Sequence, residues 1–306
     1  MGSIFFIKKE GLKNFSLQFY NYKIKLLSDI PLLINYLKKN YLNLPKTTPQ
    51  KEIEIIFLRK PKTSKSIKCK FSPRKMHFNH TPFYEYFLDF ENLSAFITMH
   101  KYLNNPIGYY AIFQNTLKTL LQAEGFFSIH ASSWTNDRIS VLATGKSGAG
   151  KSTLLINAIQ KGYKIVGDDS IFIAKKEHII TAGLPYIGGF KKQNFKLDLA
   201  ISNWINNSKP THILFLEKAD DICHFQIVIP SLKETLLKLL CEIFPLRFAA
   251  VNKVFLTKRV IALLYTLTLQ AKSVILKINP LLLKKANLKQ INLWQKIEEI
   301  ILKQYI

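Results

Sequence analysis

The chain has 306 residues, of which 48% are hydrophobic and 21% are charged, and its formal net charge at pH 7 is +24. This balance excludes a largely disordered chain, and the length predicts one large domain or two modest ones. The basic residues are mostly lysines, are spread along the whole length and accompany many Asn, Ile, Phe and Tyr residues. We therefore attribute the charge to codon bias and solvated faces, and we expect no nucleic-acid partner.

The first 105 residues predict an α+β region. Alternating apolar residues over 15–26 indicate a strand or hairpin. A helix is predicted next, with Ser28 and Asp29 as candidate caps and Pro31 in its first turn. Two further strand-like stretches are predicted at 52–58 and 83–99. A Lys-rich loop is predicted between them at 60–75.

Residues 106–306 predict a second domain, of the α/β class. Apolar residues at three- and four-residue steps predict an amphipathic helix over 107–124. Short apolar runs then alternate with a helix, which is the order expected of a sheet backed by a helix. The predicted elements are strands at 126–131, 139–143, 164–166 and 212–216, a hairpin of 171–174 with 178–182, and helices at 153–160 and 231–243, the last with Ser231 as cap and Glu234 three residues on.

The cysteine pattern and the apolar runs bear on location. Cys69, Cys223 and Cys241 are odd in number and lack CxxC spacing, so neither a zinc site nor a disulfide framework is indicated. Free thiols fit a reducing cytoplasm, and the start of the chain lacks the order of a signal peptide. The apolar run 260–269 is half of the roughly 20 residues that a spanning helix needs. We therefore expect a cytoplasmic protein without a transmembrane segment, and burial of this run in a core.

Residues 145–152 satisfy the phosphate-loop pattern GxxxxGK[ST]. Glycines allow backbone N–H groups to converge on a phosphate, because residues without a Cβ reach positive φ cheaply. Lys151 can then contact the β- and γ-phosphates, Ser152 can bind Mg²⁺, and the following helix contributes its positive end. A predicted strand before the loop and a helix after it support ATP binding. The candidate nucleotide-binding residues are Gly145, Lys146, Ser147, Gly148, Ala149, Gly150, Lys151, Ser152 and Thr153.

Three further residues are candidates for catalysis. Asp168 and Asp169 follow the strand 164–166, and such carboxylates can hold Mg²⁺ or accept a proton from an attacking hydroxyl. An Asp pair can equally cap a loop, but a strand adjacent to the loop strand favours a functional interpretation. His130 ends an earlier strand. Its titration range suits proton transfer, although a histidine after apolar residues is more often a hydrogen-bonded core residue.

Three segments in register, 130–131, 145–152 and 162–169, resemble the kinase domain of HPr kinase/phosphorylase and the HPr-kinase-related proteins of ribosomal-peptide maturation. The resemblance implies an α/β fold with a P-loop core sheet, and Mg²⁺-dependent transfer of the γ-phosphate of ATP to a serine-type hydroxyl of a peptide or protein. By the same resemblance, Lys151 and the loop amides grip the phosphates and Ser152 binds Mg²⁺. Asp168 and Asp169 share metal binding and general-base work, and His130 helps to orient the acceptor.

The sequence also departs from the bifunctional HPr enzymes. It has no match to their downstream glycine- and arginine-containing signature, and Thr153 stands where they often carry Glu. The peptide-tailoring branch, including lasso-peptide kinases, is therefore the nearer likeness, and phosphorylase activity stays open. Arg247 as a transition-state cation and Glu217 as a metal ligand are weaker candidates. The alternative functions are a nucleotide-binding switch, an ATPase that regulates a partner, and a kinase of free serine. Whether the protein forms a homo-oligomer stays open.

Overall fold

The computed structural model describes most of the chain, namely residues 10–42, 48–59, 74–80, 83–187, 203–219, 226–243, 253–279 and 299. The chain divides into two compact units, Met1–Ala123 and Glu124–Ile306. The boundary predicted from the sequence lies between residues 105 and 106. The helix predicted over 107–124, which that boundary groups with the phosphate loop, instead belongs to the first unit. Among the described residues, no helix is long and apolar enough to span a membrane.

In its described residues, the first unit contains a six-stranded sheet and two helices. The sheet order is β1-β2-β3-β6-β5-β4; β3 runs parallel to β2 and β6, and the other neighbours are antiparallel. The predicted hairpin at the start and the amphipathic helix are confirmed. The elements are β1 Lys13–Phe19, β2 Tyr22–Ser28, α1 Pro31–Asn40, β3 Lys51–Arg59, β4 Lys75–His80, β5 Tyr84–Asp89, β6 Ser94–Met99 and α2 Pro106–Ala123.

The caps predicted for α1 are wrong, because both side chains have other partners. The N-cap residue is Ile30, which makes no side-chain cap. The Ser28 hydroxyl donates to the Phe57 carbonyl at 2.6 Å, and the Asp29 carboxylate accepts the Arg59 backbone N–H at 2.9 Å. The neighbouring strand β3 thus binds these two side chains just before the helix begins.

The second unit contains two sheets and three helices among its described residues. The larger sheet has the order β10-β8-β9-β13-β15-β14, with β9, β13 and β15 parallel, and the smaller has the order β12-β11-β7. The predicted hairpin of β11 and β12 is confirmed. The elements are β7 Phe127–Ile129, β8 Ala131–Thr135, β9 Ser140–Thr144, α3 Lys151–Gln160, β10 Lys164–Gly167, β11 Ile171–Lys175, β12 Ile179–Gly183, β13 His212–Lys218, β14 Gln226–Val228, α4 Leu232–Glu242, α5 Lys253–Gln270 and β15 Lys272–Ile278.

Helix α5 contains the apolar run 260–269, and one face of that run is buried whereas the opposite face is exposed. Val260, Leu263, Leu264 and Leu267 recur at helical spacing and belong to the core of this unit. The opposite side carries the exposed side chains of Ile261, Tyr265 and Leu269. The expectation of core burial is therefore correct for one face of the run and wrong for the other.

The described cysteine is Cys241, a free and exposed thiol in α4. Cys69, Cys223 and Arg247 lie outside the described residues. The start of α4 agrees with its prediction, since the Ser231 hydroxyl accepts the backbone N–H of Glu234 at 3.2 Å. This cap satisfies a donor at the helix start that has no partner within the helix.

Candidate active site

The predicted phosphate loop, residues 145–152, begins directly after β9 and runs into the first turn of α3, so a strand and a helix flank it. Gly145 has φ 147°, and a Cβ on it would lie 2.3 Å from the carbonyl oxygen of Leu216. The parallel pairing of β9 with β13 brings that carbonyl against the loop. Gly150, the residue before α3, has φ 104°. Both positions therefore require glycine, the first because of space and the second because of its backbone conformation.

Lys151 begins α3, and its side chain lies inside the loop. The buried ammonium Nζ donates to the carbonyl oxygens of Gly145 at 2.5 Å and Lys146 at 3.2 Å. Burial lowers the pKa of Lys151, and the carboxylates of Glu242, Asp168 and Asp169 oppose that shift. The loop thus holds an ammonium donor at its centre, which can exchange carbonyl partners for phosphate oxygens.

Asp168 lies directly after β10 and is buried beside the loop. Its Oδ1 accepts hydrogen bonds from the hydroxyls of Ser132 at 2.5 Å and Ser152 at 3.1 Å. Burial raises the pKa of Asp168 and the charge of Asp169 adds to this, whereas the two serine hydrogen bonds act in the opposite direction. The hydrogen bond between Ser152 and Asp168 brings together a hydroxyl and a carboxylate, both of which are oxygen ligands that Mg²⁺ binds.

The strand that leads to Asp168 is not adjacent to the loop strand, in contrast to the prediction. In the sheet order, β8 lies between β10 and β9. Ser133 of β8 pairs with Gly167 of β10, and this register sets the preceding Ser132 next to Asp168. The intervening strand β8 thus contributes a residue to the site, because the hydroxyl of Ser132 donates a hydrogen bond to Asp168.

Asp169 and His130 meet at the exposed side of the site. The Nε2 atom of His130 lies 3.5 Å from Oδ1 of Asp169, whose side chain is 60% exposed. Asp169 has φ 66°, a left-handed conformation that Asp adopts more readily than most residues. That conformation turns the two neighbouring aspartates apart, so that Asp168 is buried and Asp169 faces solvent.

Glu217 is a weaker candidate, and the structure gives it another partner. It is followed by Lys218, the last residue of β13, and its carboxylate forms an ion pair with Lys238 of α4. Among the described residues, no cluster of three or more His, Cys, Asp or Glu is arranged to hold a metal ion. A site of one or two carboxylates is nevertheless what Mg²⁺ needs when phosphates supply the remaining ligands.

Three residues of this site, Ser132, Lys218 and Glu242, were not predicted from the sequence. Lys218 lies at the carboxyl end of a strand parallel to β9, and its Nζ is 3.3 Å from where a Cβ of Gly148 would be. Parallel strands bring their carboxyl ends to the same edge of a sheet, so the position of Lys218 just after a predicted strand is a signal from which it could have been predicted. Ser132 lies in β8, two residues after His130, which is between β7 and β8. Glu242 gives no local signal.

These observations describe a mixed α/β protein whose phosphate-loop motif, aspartate pair and histidine lie in one unit. No protein-family model matches the chain. A segment of 49 residues is 37% identical to HPr kinase/phosphorylase of Clostridium acetobutylicum, and the match spans 16% of this chain and 16% of that protein. The HPr(Ser) kinase/phosphatase structure from Coxiella burnetii matches 34% of this chain and 72% of that chain, with 24% identity and a TM-score of 0.24. The chain thus has local sequence similarity to HPr kinase/phosphorylase.

Proposed function

We propose that this protein is a P-loop kinase that transfers the γ-phosphate of ATP to a serine-type hydroxyl. The observation that carries the proposal is the hydrogen bond from Ser152, in the loop, to the buried carboxylate of Asp168. A glycine-bearing turn that bound nothing would have no need of a buried carboxyl group beside it, since burial of such a polar group is costly. The local similarity to HPr kinase/phosphorylase supports the same reaction class.

In the proposed reaction, Lys151 and the loop amides bind the phosphates of ATP. Ser152 and Asp168 would hold Mg²⁺, which supplies positive charge to the transferring group. Asp169 accepts the proton of the acceptor hydroxyl, because its carboxylate is exposed whereas that of Asp168 is buried. The acceptor oxygen forms a bond to the γ-phosphorus, and the bond from that phosphorus to the β,γ-bridging oxygen breaks. His130, in contact with Asp169, orients the acceptor.

We propose a peptide or protein as the acceptor, in the manner of the HPr-kinase-related proteins of ribosomal-peptide tailoring. The support is the sequence resemblance of segments 130–131, 145–152 and 162–169, together with the absence of the bifunctional signature. Because the reaction uses ATP, we propose that it takes place in the cytoplasm. We also keep the proposal that residues 106–306 act as the kinase region.

The test uses the full chain with Mg²⁺, ATP and serine-containing peptides, including any short precursor peptide encoded beside the gene. We expect ADP and a peptide heavier by one phosphate. Lys151→Met should abolish transfer, because the ammonium that binds the phosphates is lost. Lys161→Met is the matched control, since Lys161 is exposed at the other end of α3 and should leave turnover unchanged.

Other outcomes separate the alternatives. ADP formation without a phosphorylated peptide would identify an ATPase or a nucleotide-dependent switch. Transfer to free serine but to no peptide would identify a small-molecule kinase. Full activity of Lys151→Met would remove the phosphate loop from the mechanism and sink the proposal.

A further inference from the structure

Glu242 brings a third carboxylate into the site. Its Oε2 lies 3.9 Å from Nδ1 of His130, and its side chain is 18% exposed. Among the carboxylates that act on the ammonium of Lys151, Glu242 has the largest effect, ahead of Asp168 and Asp169. The carboxylate of Glu242 thus contributes negative charge near His130 and acts on the Lys151 ammonium.

The position of Glu242 is unfavourable for its own helix. It is the last residue of α4, where the helix end has a partial negative charge, and the last turn has no basic residue. Contacts with the neighbouring strand fix this helix end. The backbone N–H of His130 donates to the carbonyl of Glu242 at 3.0 Å, and Ile243 forms a β-bridge with Ile129. A residue that is locally unfavourable but held in place is typical of a functional site.

These contacts set the imidazole of His130 between two carboxylates. Its Nε2 faces Asp169 at 3.5 Å, and its Nδ1 faces Glu242 at 3.9 Å. The two ring nitrogens are distinct, and the partner of one determines how the other is presented. The Glu242 carboxylate lies beyond direct hydrogen-bond distance of Nδ1, so it acts on the ring by its charge and favours the orientation in which Nε2 faces Asp169.

We propose that Glu242 is a positioning residue, which holds the His130 ring so that Nε2 faces Asp169 and the acceptor hydroxyl. The proposal rests on the phosphotransfer function proposed above. In this role Glu242 acts through His130 and not directly on the phosphates or the acceptor.

The kinetic test compares Glu242→Gln with Glu234→Gln, its matched control. Glu234 is on the same helix, beside Lys238 at 3.8 Å, and its side chain is 45% exposed. We expect Glu242→Gln to lower kcat about tenfold or more. The KM for ATP should not rise, because loss of a negative charge near the loop does not weaken binding of an anionic nucleotide. Glu234→Gln should keep both constants.

A double-variant cycle tests whether Glu242 acts through His130. His130→Gln alone should lower kcat, and adding Glu242→Gln should lower it no further, because the positioning residue then has nothing to position. A kcat loss that multiplies in the double variant would overturn the proposal, as would a Glu242→Gln variant that behaves like Glu234→Gln. A rise in KM without a change in kcat would also overturn it, since it would indicate loosened nucleotide binding.

A spectroscopic readout keeps this test independent of turnover. In ring ¹H–¹⁵N correlation spectra of the histidine-labelled full chain, the His130 signals are assigned by their loss in His130→Gln. Glu242→Gln should shift the Nδ1 signal of His130, and Glu234→Gln should not. Unchanged His130 signals overturn the proposal whatever the activity. If the wild type transfers phosphate to no acceptor but the signal shifts, the proposed function fails while the contact between Glu242 and His130 is upheld.

Discussion

Ser132→Ala tests whether Asp168 is held as a buried carboxylate. Ser132 is fully buried, and its hydroxyl donates to Asp168 Oδ1 at 2.5 Å. A hydrogen bond to a charged group contributes about 1.5–3 kcal/mol, and one between neutral groups about 0.5–1.5 kcal/mol. For a domain of 150–250 residues, each kcal/mol corresponds to roughly 2–4 °C in Tm. We therefore expect Ser132→Ala to lower Tm by roughly 3–12 °C where Asp168 is ionised.

The sign of the pH dependence follows from the pKa of Asp168. Burial raises this pKa above the ordinary value of 3.8, and the Ser132 hydrogen bond partly opposes the rise. The stability that protonated Asp168 contributes is therefore fully present at pH values below its pKa in the unfolded chain. This stability is lost as the pH rises through the pKa of Asp168 in the folded protein. Removal of the Ser132 hydroxyl raises the pKa of Asp168 in the folded protein further, and it therefore enlarges the loss of stability with rising pH. The difference in stability between wild type and Ser132→Ala should consequently widen as pH increases from about 4.

The assay is thermal unfolding followed by circular dichroism from about pH 4 to about pH 8, without nucleotide. Ser133→Ala is the matched control: the adjacent serine is also fully buried, but its hydroxyl faces the neutral Thr181 hydroxyl at 3.5 Å. Its Tm difference from wild type should not change with pH. A constant difference for Ser132→Ala, or the same widening for Ser133→Ala, would refute the reasoning.

Three further predictions concern the loop and its neighbours. Gly145→Ala should abolish nucleotide binding measured by calorimetry, because the new Cβ would clash with the Leu216 carbonyl oxygen. Gly162→Ala is the control: Gly162 has φ 87° and open space around it, so the variant should still bind nucleotide and should lose about 1 kcal/mol of stability. Asp168→Asn should remove the fall in Tm with rising pH and also abolish Mg²⁺-dependent turnover. An unchanged pH profile would contradict the raised pKa of Asp168. Lys218→Met should weaken ATP binding about tenfold in equilibrium titration with Mg²⁺, and equal affinity would exclude it from the phosphate site.

Much of the fold was predictable because it depends on local patterns. The alternation that predicts the first hairpin and the helical spacing of α2 are confirmed, and Ser231 caps α4 as expected. The caps of α1 were not predictable, since Ser28 and Asp29 bind to β3, which follows more than twenty residues later.

Parts of the candidate site were predictable for the same reason. The loop residues 145–153 form a contiguous motif, and the roles assigned to them, to His130 and to the two aspartates remain predictions. The adjacency of the aspartate strand and the loop strand was wrong, because sheet order is not written in local sequence.

By itself, the sequence determined the strand, glycine-bearing loop and helix that place Lys151 and Ser152, because backbone preference and side-chain period act over a few residues. Only the tertiary structure decided that Asp168 is buried against Ser132 and that Asp169 faces His130. It also decided that Glu242 reaches the site from the end of α4. The physical reason is that burial and charge contacts depend on strand order and helix ends brought together across long separations in the chain.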